Sequence, residues 1–177
     1  MDNRTQLNRE IQSAPPTRIN HEIAGPDRDA DLLERGTVVC DGYTIENRLE
    51  VSSGEADLYV CSSDDRQYVA KVYKRKFAVK EEVIRALRSM ESPYVAKLFE
   101  TSTYRGFPIE IIPYYRNGSL QGRVCSYDDL IRMVIPNINE GLKALHKSGI
   151  LHKDLKPSNI MMADDGRSVA IIDFGIS

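Results

Sequence analysis

Apolar residues between positions 130 and 145 recur at the spacing of one face of a helix. Ser126 lies at the start of this pattern as a capping residue, and Gly149 lies at its end. Pro136 falls inside the pattern and predicts a bend, because proline removes one backbone hydrogen-bond donor. The pattern therefore predicts a long helix that ends near Lys147 and packs one apolar stripe against a core.

Short apolar segments separated by turn residues surround this helix. Residues 159–162 and 169–172 flank an Asp-Asp-Gly turn, which predicts a β-hairpin. Earlier segments rich in Tyr, Val and Ile predict strands, and one segment with helical spacing is stopped by Ser92-Pro93. The sequence therefore predicts an α+β fold. The five earlier strands are expected at 43–49, 57–61, 68–73, 95–102 and 109–112, and the earlier helix at 77–90.

Charge and composition exclude several classes of protein. Lys and Arg total 24 against 26 Asp and Glu, so no overall positive field attracts nucleic acid or anionic lipid. No apolar run approaches the ~18–20 residues that span a bilayer. The three cysteines form no C-x-x-C pair, which favours a reducing, cytoplasmic location over a disulfide framework or a zinc site.

The N-terminal residues 1–36 differ in texture from the rest. They contain three of the eight prolines and many charges of both signs, without a sustained apolar period. Such a segment buries too little apolar surface to offset its ordering entropy. We expect a disordered tail, and the alternative is a docking segment that folds on a partner.

Polar side chains concentrate directly after the long helix. Segment 152–159 reads HKDLKPSN, and a D-F-G triplet begins at Asp173, 14 residues after Asn159. Asp and Asn oxygens are hard ligands that suit Mg²⁺. A further Asp can accept a proton from a hydroxyl, and a Lys can neutralise a phosphate. These residue types together point to phosphoryl transfer.

Both segments resemble those of the eukaryotic-type serine/threonine protein kinase family, whose catalytic loop reads H-x-D-L-K-P-x-N and precedes D-F-G. The resemblance covers about residues 41–177. It implies ATP and Mg²⁺ as cofactors, with Asn159 and Asp173 as the metal ligands. It further implies that Asp154 is the catalytic base and that Lys156 contacts the transferred phosphate. His152 is expected to have a structural role.

The first half of the chain carries a weaker part of the resemblance. Segment 69–72, VAKV, resembles the V-A-I-K strand motif, which implies that Lys71 contacts the α- and β-phosphates. The carboxylate partner of this lysine is expected on the following helix, with Glu82 preferred and Glu81 in reserve. Counting back from Ser92-Pro93 by the family spacing falls on Val83 instead.

The lid over the nucleotide departs from the family pattern. The consensus motif of the family in this loop is G-x-G-x-x-G-x-V. The alignment places Val51, Ser53 and Ala56 at the three glycine positions and leaves only Gly54 nearby. Fewer glycines allow fewer backbone amides to approach phosphates closely. With Ile112 as gatekeeper, the residues expected to contact the nucleotide are Val51, Gly54, Leu58, Ala70, Lys71, Ile112, Pro113, Tyr115 and Met161.

The resemblance implies a bilobal protein-kinase fold over residues 37–177. A five-stranded antiparallel small lobe with one helix is expected at 37–112, a hinge at 113–120, and the first part of a helical large lobe at 121–177. Because the family's large lobe continues well past D-F-G, we expect an incomplete catalytic domain of a longer kinase. The alternatives are one product of a split gene and a genuine short protein that only binds nucleotide or a partner.

The expected function is ATP-dependent phosphorylation of serine or threonine in protein substrates. Two other classes stay open. A nucleotide-binding pseudokinase or scaffold is favoured by the glycine-poor lid. A small-molecule kinase of the aminoglycoside or choline type shares H-x-D and a metal-binding Asp, although the Lys-Pro after Asp154 and the complete D-F-G favour protein substrates.

Overall fold

An antiparallel sheet of six strands forms the first part of the fold. The computed structural model describes residues 33–51, 54–75 and 80–174. The strands are β1 (Val38–Val39), β2 (Tyr43–Arg48), β3 (Ala56–Ser63), β4 (Arg66–Tyr73), β5 (Glu100–Tyr104) and β6 (Phe107–Pro113). They lie in the order β1-β2-β3-β4-β6-β5. The five predicted strands are confirmed as β2 to β6, and β1 adds a two-residue strand at the edge.

The predicted strand at 95–102 is shorter than expected and begins at Glu100. The residues before it pair with the second half of the chain instead. The Ala96 amide donates to the Ile171 carbonyl at 2.8 Å, and the Ile171 amide donates to the Tyr94 carbonyl at 2.9 Å. These hydrogen bonds join the sheet region to the segment that carries D-F-G.

The two faces of the sheet have different surroundings. Side chains alternate between the faces along each strand, and β3, β4 and β6 pair without a shift of register. The inner face belongs to the main core and includes Ala56, Tyr73 and Ile112. The outer face is buried apart from the main core. Its buried side chains, which we call the outer layer, include Ile45, Tyr59, Cys61, Ala70 and Ile111.

The compact unit Leu33–Ser177 begins inside the segment expected to be a tail, whose residues 1–32 lie outside the described residues. Leu33 is buried, and its amide donates to the Tyr59 hydroxyl at 3.3 Å. The Gly36 amide donates to the Ile45 carbonyl at 2.8 Å. Residues 33–36 therefore belong to the outer layer of the sheet.

Helix α1 (Glu81–Ser89) is shorter than the segment 77–90 that the sequence predicts. Lys80 has extended backbone angles, with φ −75° and ψ 103°, so the helix begins after it. Residues 77–79 of the predicted helix lie outside the described residues. Leu87 is buried in the main core, whereas Glu81 and Glu82 are exposed in the first turn.

The long helix of the second half is confirmed, with a local change of winding in place of a simple bend. It begins with the turn α2 (Tyr127–Asp129), where the Ser126 hydroxyl accepts a hydrogen bond from the Asp129 amide at 3.0 Å. A π-helical segment (Leu130–Val134) follows, and α3 (Ile135–Lys147) completes the helix. Pro136 lies in the first turn of α3, where the wider turn before it accommodates the missing donor.

The predicted hairpin is present as β7 (Ile160–Met162) and β8 (Val169–Ile171). Its buried side chains pack with those of both helices in the main core, which contains Leu87, Leu145, Ile171 and Phe174. None of the helices in the described ranges is long and apolar enough to cross a membrane.

Helix α3 approaches the backbone of the chain closely at Gly141. A Cβ atom there would lie 2.7 Å from the Tyr94 carbonyl oxygen and 2.9 Å from Ile171 Cδ1. We expect Gly141→Ala to lower the free energy of unfolding by about 1–3 kcal/mol, because overpacking outweighs the gain in helix propensity. Urea denaturation measures this change. Gly54→Ala is the control, since nothing lies within 4 Å of its Cβ position. A stabilised Gly141→Ala variant would contradict this packing.

Candidate active site

Lys71 and Asp173 form an ion pair that joins the sheet to the segment after β8. Lys71 lies on the inner face of β4 and is only 6% exposed. Its ammonium also lies 4.7 Å from the centre of the Tyr73 ring. A buried ammonium loses its hydration, so the carboxylate and the ring stabilise it. The structure thus brings together the residues assigned to the phosphates and to the metal.

Asp154 lies at the centre of a second group of polar contacts. Its Oδ2 accepts hydrogen bonds from Lys156 Nζ at 2.5 Å and from Asn159 Nδ2 at 3.3 Å. The hydrogen bond from Lys156 lowers the pKa of Asp154, and the same contact raises the pKa of Lys156. Asp154 is exposed. It is therefore an ionised carboxylate at neutral pH, accessible to an incoming hydroxyl.

His152 is buried and holds this loop in place. Its Nε2 lies 2.8 Å from the Ile172 carbonyl, and its Nδ1 accepts from the Asp154 amide at 3.3 Å. Because a carbonyl can only accept, Nε2 carries the proton. The ring packs edge-on against Phe174, with 5.9 Å between ring centres. Both ring nitrogens are therefore engaged by the backbone, which fits the structural role expected of His152.

Asn159 and Asp173 are held close to each other through the backbone. The Ile172 amide donates to the Asn159 carbonyl at 2.9 Å, and Asp173 is the next residue. Asn159 Nδ2 donates to the Asp154 carbonyl at 2.9 Å, so its Oδ1 is left for a ligand. Within the described ranges, no group of three or more His, Cys, Asp or Glu side chains could hold a metal. Asn159 Oδ1 and the Asp173 carboxylate alone are too few to enclose a metal. They fit Mg²⁺ that completes its coordination with phosphate oxygens and water.

Two site residues have left-handed backbone angles. Lys153 has φ 64° and Asp173 has φ 67°. Such angles cost a residue other than glycine about 1–3 kcal/mol and are found at functional sites. Lys153 directly follows His152, and Asp173 directly follows Ile172. The hydrogen bonds of His152 with the Ile172 carbonyl and with the Asp154 amide hold both residues in place.

The structure does not bring Glu82 to Lys71. Glu82 is exposed in the first turn of α1, and Glu81 is exposed beside it. Val83, on which the family spacing falls, is partly buried against the main core. The prediction that Glu82 pairs with Lys71 is therefore corrected, because the helix turns this carboxylate to solvent. The carboxylate that pairs with Lys71 is that of Asp173.

Ala70 is also placed differently from the prediction. It is fully buried, but it lies next to Lys71 in an unbroken strand and so points to the outer face. Its neighbours across the strands are Tyr59 and Ile111, which lie in the outer layer. The residue that shares the inner face with Lys71 is Val69, two positions earlier. Val69 therefore replaces Ala70 as the candidate for contact with the adenine.

The predicted hinge is attached to the β7–β8 hairpin. Pro113 ends β6, and the Arg116 amide donates to Asp164 Oδ1 at 3.0 Å. Asn117 Nδ2 donates to the Ala163 carbonyl at 2.8 Å. Burial raises the pKa of the Tyr115 phenol to about 12. These contacts hold the hinge residues next to the hairpin.

Ile112, the expected gatekeeper, lies on β6, and Met161, also expected to contact the nucleotide, lies on β7. Ile112 is partly buried on the inner face of β6, opposite Val69 on β4. Met161 is partly buried between two buried neighbours of β7, so it points away from the main core. Its backbone forms a bridge to Ser119, beyond the hinge. These positions agree with an adenine site between β4, β6 and β7.

The lid is only partly described, since residues 52–53 lie outside the described ranges. Val51 is 59% exposed, and nothing lies within 4 Å of a Cβ atom at Gly54. Leu58 packs on the inner face of β3, opposite Lys71. Leu58 is thus next to Lys71, whereas the side chain of Val51 is exposed to solvent.

Sequence reasoning missed Glu110. This residue lies on β6 directly opposite Lys71, is 7% exposed, and accepts a hydrogen bond from the Tyr73 hydroxyl at 3.1 Å. Its signal in the sequence is a single charged residue within an apolar strand, FPIEIIP. A charge at such a position is rarely buried unless it has a partner.

Comparisons with known proteins agree with this geometry. Residues 52–177 match the family model described as "Protein kinase domain". Serine/threonine-protein kinase cot-1 of Neurospora crassa is 31% identical over 135 residues, covering 70% of this chain and 22% of the relative. Calcium/calmodulin-dependent protein kinase type 1 of Macrobrachium nipponense is 34% identical over 117 residues, covering 60% of this chain and 33% of the relative. The chain thus spans a third or less of the length of these relatives.

Solved structures share the fold. The kinase domain of Mycobacterium tuberculosis PknI superposes with a TM-score of 0.66 at 17% identity, covering 82% of this chain and 64% of that chain. Rad53 in complex with AMP-PNP superposes with a TM-score of 0.68 at 22% identity, covering 77% of this chain and 39% of that one. The antiparallel sheet, its helix and the β7–β8 hairpin are therefore arranged as in a protein kinase.

Proposed function

The chain belongs to the protein kinase family, and from this premise we propose that it transfers the γ-phosphate of ATP to serine or threonine hydroxyls of proteins. One observation carries the proposal: a continuous series of contacts links Lys71 to Asp173, the segment before Asp173 to Asn159, and Asn159 to Asp154. A lysine that can bind phosphates, two candidate metal ligands and a proton acceptor thus lie next to one another, as phosphoryl transfer requires.

Lys71 and Asp173 hold the nucleotide in this proposal. Bound Mg²⁺ neutralises charge on the phosphates, and Asn159 Oδ1 with the Asp173 carboxylate would be its protein ligands. With the metal bound, the Asp173 carboxylate would hold it in place of its contact with Lys71. The ammonium of Lys71 would then be free to bind the phosphate oxygens, which are negatively charged acceptors like the carboxylate. The ion pair between Lys71 and Asp173 keeps both groups in place before the nucleotide binds.

Asp154 orients the hydroxyl that attacks the phosphate and accepts its proton. The hydrogen bond from Lys156 keeps the carboxylate ionised at neutral pH. Lys156 lies within 2.5 Å of that carboxylate and can turn to the transferred phosphate while staying near it. The Asn159 amide fixes the position of Asp154 through two hydrogen bonds. Asp154 therefore has the charge, exposure and support of a positioned base.

A nucleotide-binding scaffold without turnover is the second candidate. The exposed position of Glu82 supports it, because Lys71 then lacks a carboxylate from the helix. Both candidates require nucleotide binding, and they differ in phosphate transfer to protein. A small-molecule kinase would transfer phosphate only to aminoglycosides or choline.

The test combines binding with transfer. We expect the protein to bind Mg·ATP by calorimetry and to move the labelled γ-phosphate onto a generic protein such as casein. Val69→Phe should weaken ATP affinity by at least about tenfold, because the larger ring fills the space beside Lys71. Val38→Phe on exposed β1 is the matched control. Binding without transfer to protein favours the scaffold. Unchanged affinity in a folded Val69→Phe variant rejects this adenine site.

A further inference from the structure

Glu110 is a buried carboxyl group that the proposed chemistry does not yet use. It lies in the middle of β6, between apolar neighbours, and is 7% exposed. In the antiparallel pairing of β4 with β6, its direct partner is Lys71. Side chains of directly paired residues project from the same face of a sheet, with Cβ atoms about 4.5–5.5 Å apart. Glu110 therefore faces the site lysine from the neighbouring strand.

Tyr73 completes a group of three polar side chains on the inner face, which we call the inner polar cluster: Lys71, Tyr73 and Glu110. The Tyr73 hydroxyl donates to Glu110 Oε2 at 3.1 Å, and the Lys71 ammonium lies 4.7 Å from the Tyr73 ring centre. Burial raises the pKa of Glu110, whereas the positive charge of Lys71 and the hydroxyl of Tyr73 act in the opposite direction. The lysine and the glutamate thus interact electrostatically.

Helix α1 offers the lysine no carboxylate. Glu82 is exposed, and the position given by the family spacing is the apolar Val83, which packs against the main core. Asp173 pairs with Lys71 in this structure, but Asp173 is also a proposed metal ligand. When Asp173 binds the metal, Lys71 needs another negative group to hold its ammonium toward the phosphates.

We propose that Glu110 is the positioning residue for Lys71, taking on β6 the role that the family resemblance assigned to Glu82 on α1. This inference rests on the proposed function, since it concerns the lysine that contacts the phosphates. A carboxylate on a sheet strand keeps a fixed register with Lys71, whereas a carboxylate on a helix moves with the helix. The lysine is therefore held by the sheet itself, independently of the position of α1.

Affinity for Mg·ATP, measured by calorimetry, provides the first arm of the test. Glu110→Gln should weaken binding about tenfold, within the range of coupled pairs. In a Lys71→Met background the same change should have no further effect, because the lysine that Glu110 positions is gone. Glu46→Gln, a half-buried carboxylate on β2 that accepts a hydrogen bond from Gln67, is the matched control. If Glu82→Gln weakens binding as much as or more than Glu110→Gln does, the proposal is overturned.

Thermal unfolding without nucleotide provides the second arm. The loss of Tm in the double variant Lys71→Met with Glu110→Gln should fall short of the sum of the single losses by about 2–4 °C. Losses that simply add would overturn the pairing. Coupling without any binding of Mg·ATP by the wild type refutes the proposed function but keeps Glu110 as the partner of Lys71. The two failures are thereby distinguished.

Discussion

Asp154→Asn is expected to lower the rate of phosphate transfer by about 10²–10⁴-fold, the usual contribution of a positioned base. The amide has nearly the same shape, so the hydrogen bond from Asn159 and the loop held by His152 can persist. It cannot accept a proton from the attacking hydroxyl. ATP affinity should stay near that of the wild type, because the contacts of Asp154 are with Lys156 and Asn159 and do not include Lys71 or Asp173.

Steady-state transfer of labelled phosphate gives the rate, and calorimetry gives the affinity. The matched control is Asp128→Asn, an exposed aspartate at the start of the long helix that pairs with Arg132. The measurements are made on the longest form of the protein that cells express, since this chain spans a third or less of the length of these two relatives. Transfer by Asp154→Asn at the wild-type rate would rule out the role assigned to this carboxylate.

Asp173→Ala is expected to affect the metal rather than the proton transfer. Removal of the carboxylate leaves Asn159 as the remaining protein ligand, so Mg²⁺-dependent ATP affinity should fall by at least about tenfold. The variant also leaves the buried ammonium of Lys71 without its ion-pair partner. We therefore expect a loss of about 1–3 kcal/mol in the free energy of unfolding as well.

Titration of ATP with and without Mg²⁺, together with urea denaturation, separates these two effects. A second variant, Lys71→Met with Asp173→Ala, should recover part of the lost stability, because the ammonium that has lost its contact with Asp173 is removed. The same double variant should not recover ATP affinity. If the magnesium dependence of ATP binding is unchanged in Asp173→Ala, the metal site lies elsewhere.

The catalytic loop could be predicted from sequence because its parts are local. His152, Asp154 and Asn159 lie within eight residues, and their hydrogen bonds are made largely among themselves and with the segment before Asp173. Spacing alone therefore defines their geometry. The strands, the long helix and the β7–β8 hairpin followed from hydrophobic period in the same way.

The predictions for Ala70 and Glu82 are wrong because each depends on the face of a strand or helix to which the side chain points. The letters of the strand motif favour Ala70, yet the residue that shares a face with Lys71 in a strand lies two positions before it, and that residue is Val69. The sequence pattern favours Glu82 but does not define where α1 begins, and the extended backbone of Lys80 sets that start. The role of Glu110 can be recognised only from the pairing of β4 with β6, which brings together positions far apart in the sequence.

The separation of the sheet into two buried faces also bears on how the chain finds its native alignment. A slip of one residue in β4 would turn Lys71 to the outer layer, among Ile45, Tyr59 and Ile111. Ile45, Tyr59 and Ile111 carry no carboxylate that could pair with an ammonium, and burial of an unpaired charge is strongly unfavourable. Misaligned sheets are thus disfavoured by the same residue that would contact the nucleotide. Lys71 therefore favours the native register of β4 in the sheet, even before any ligand is present.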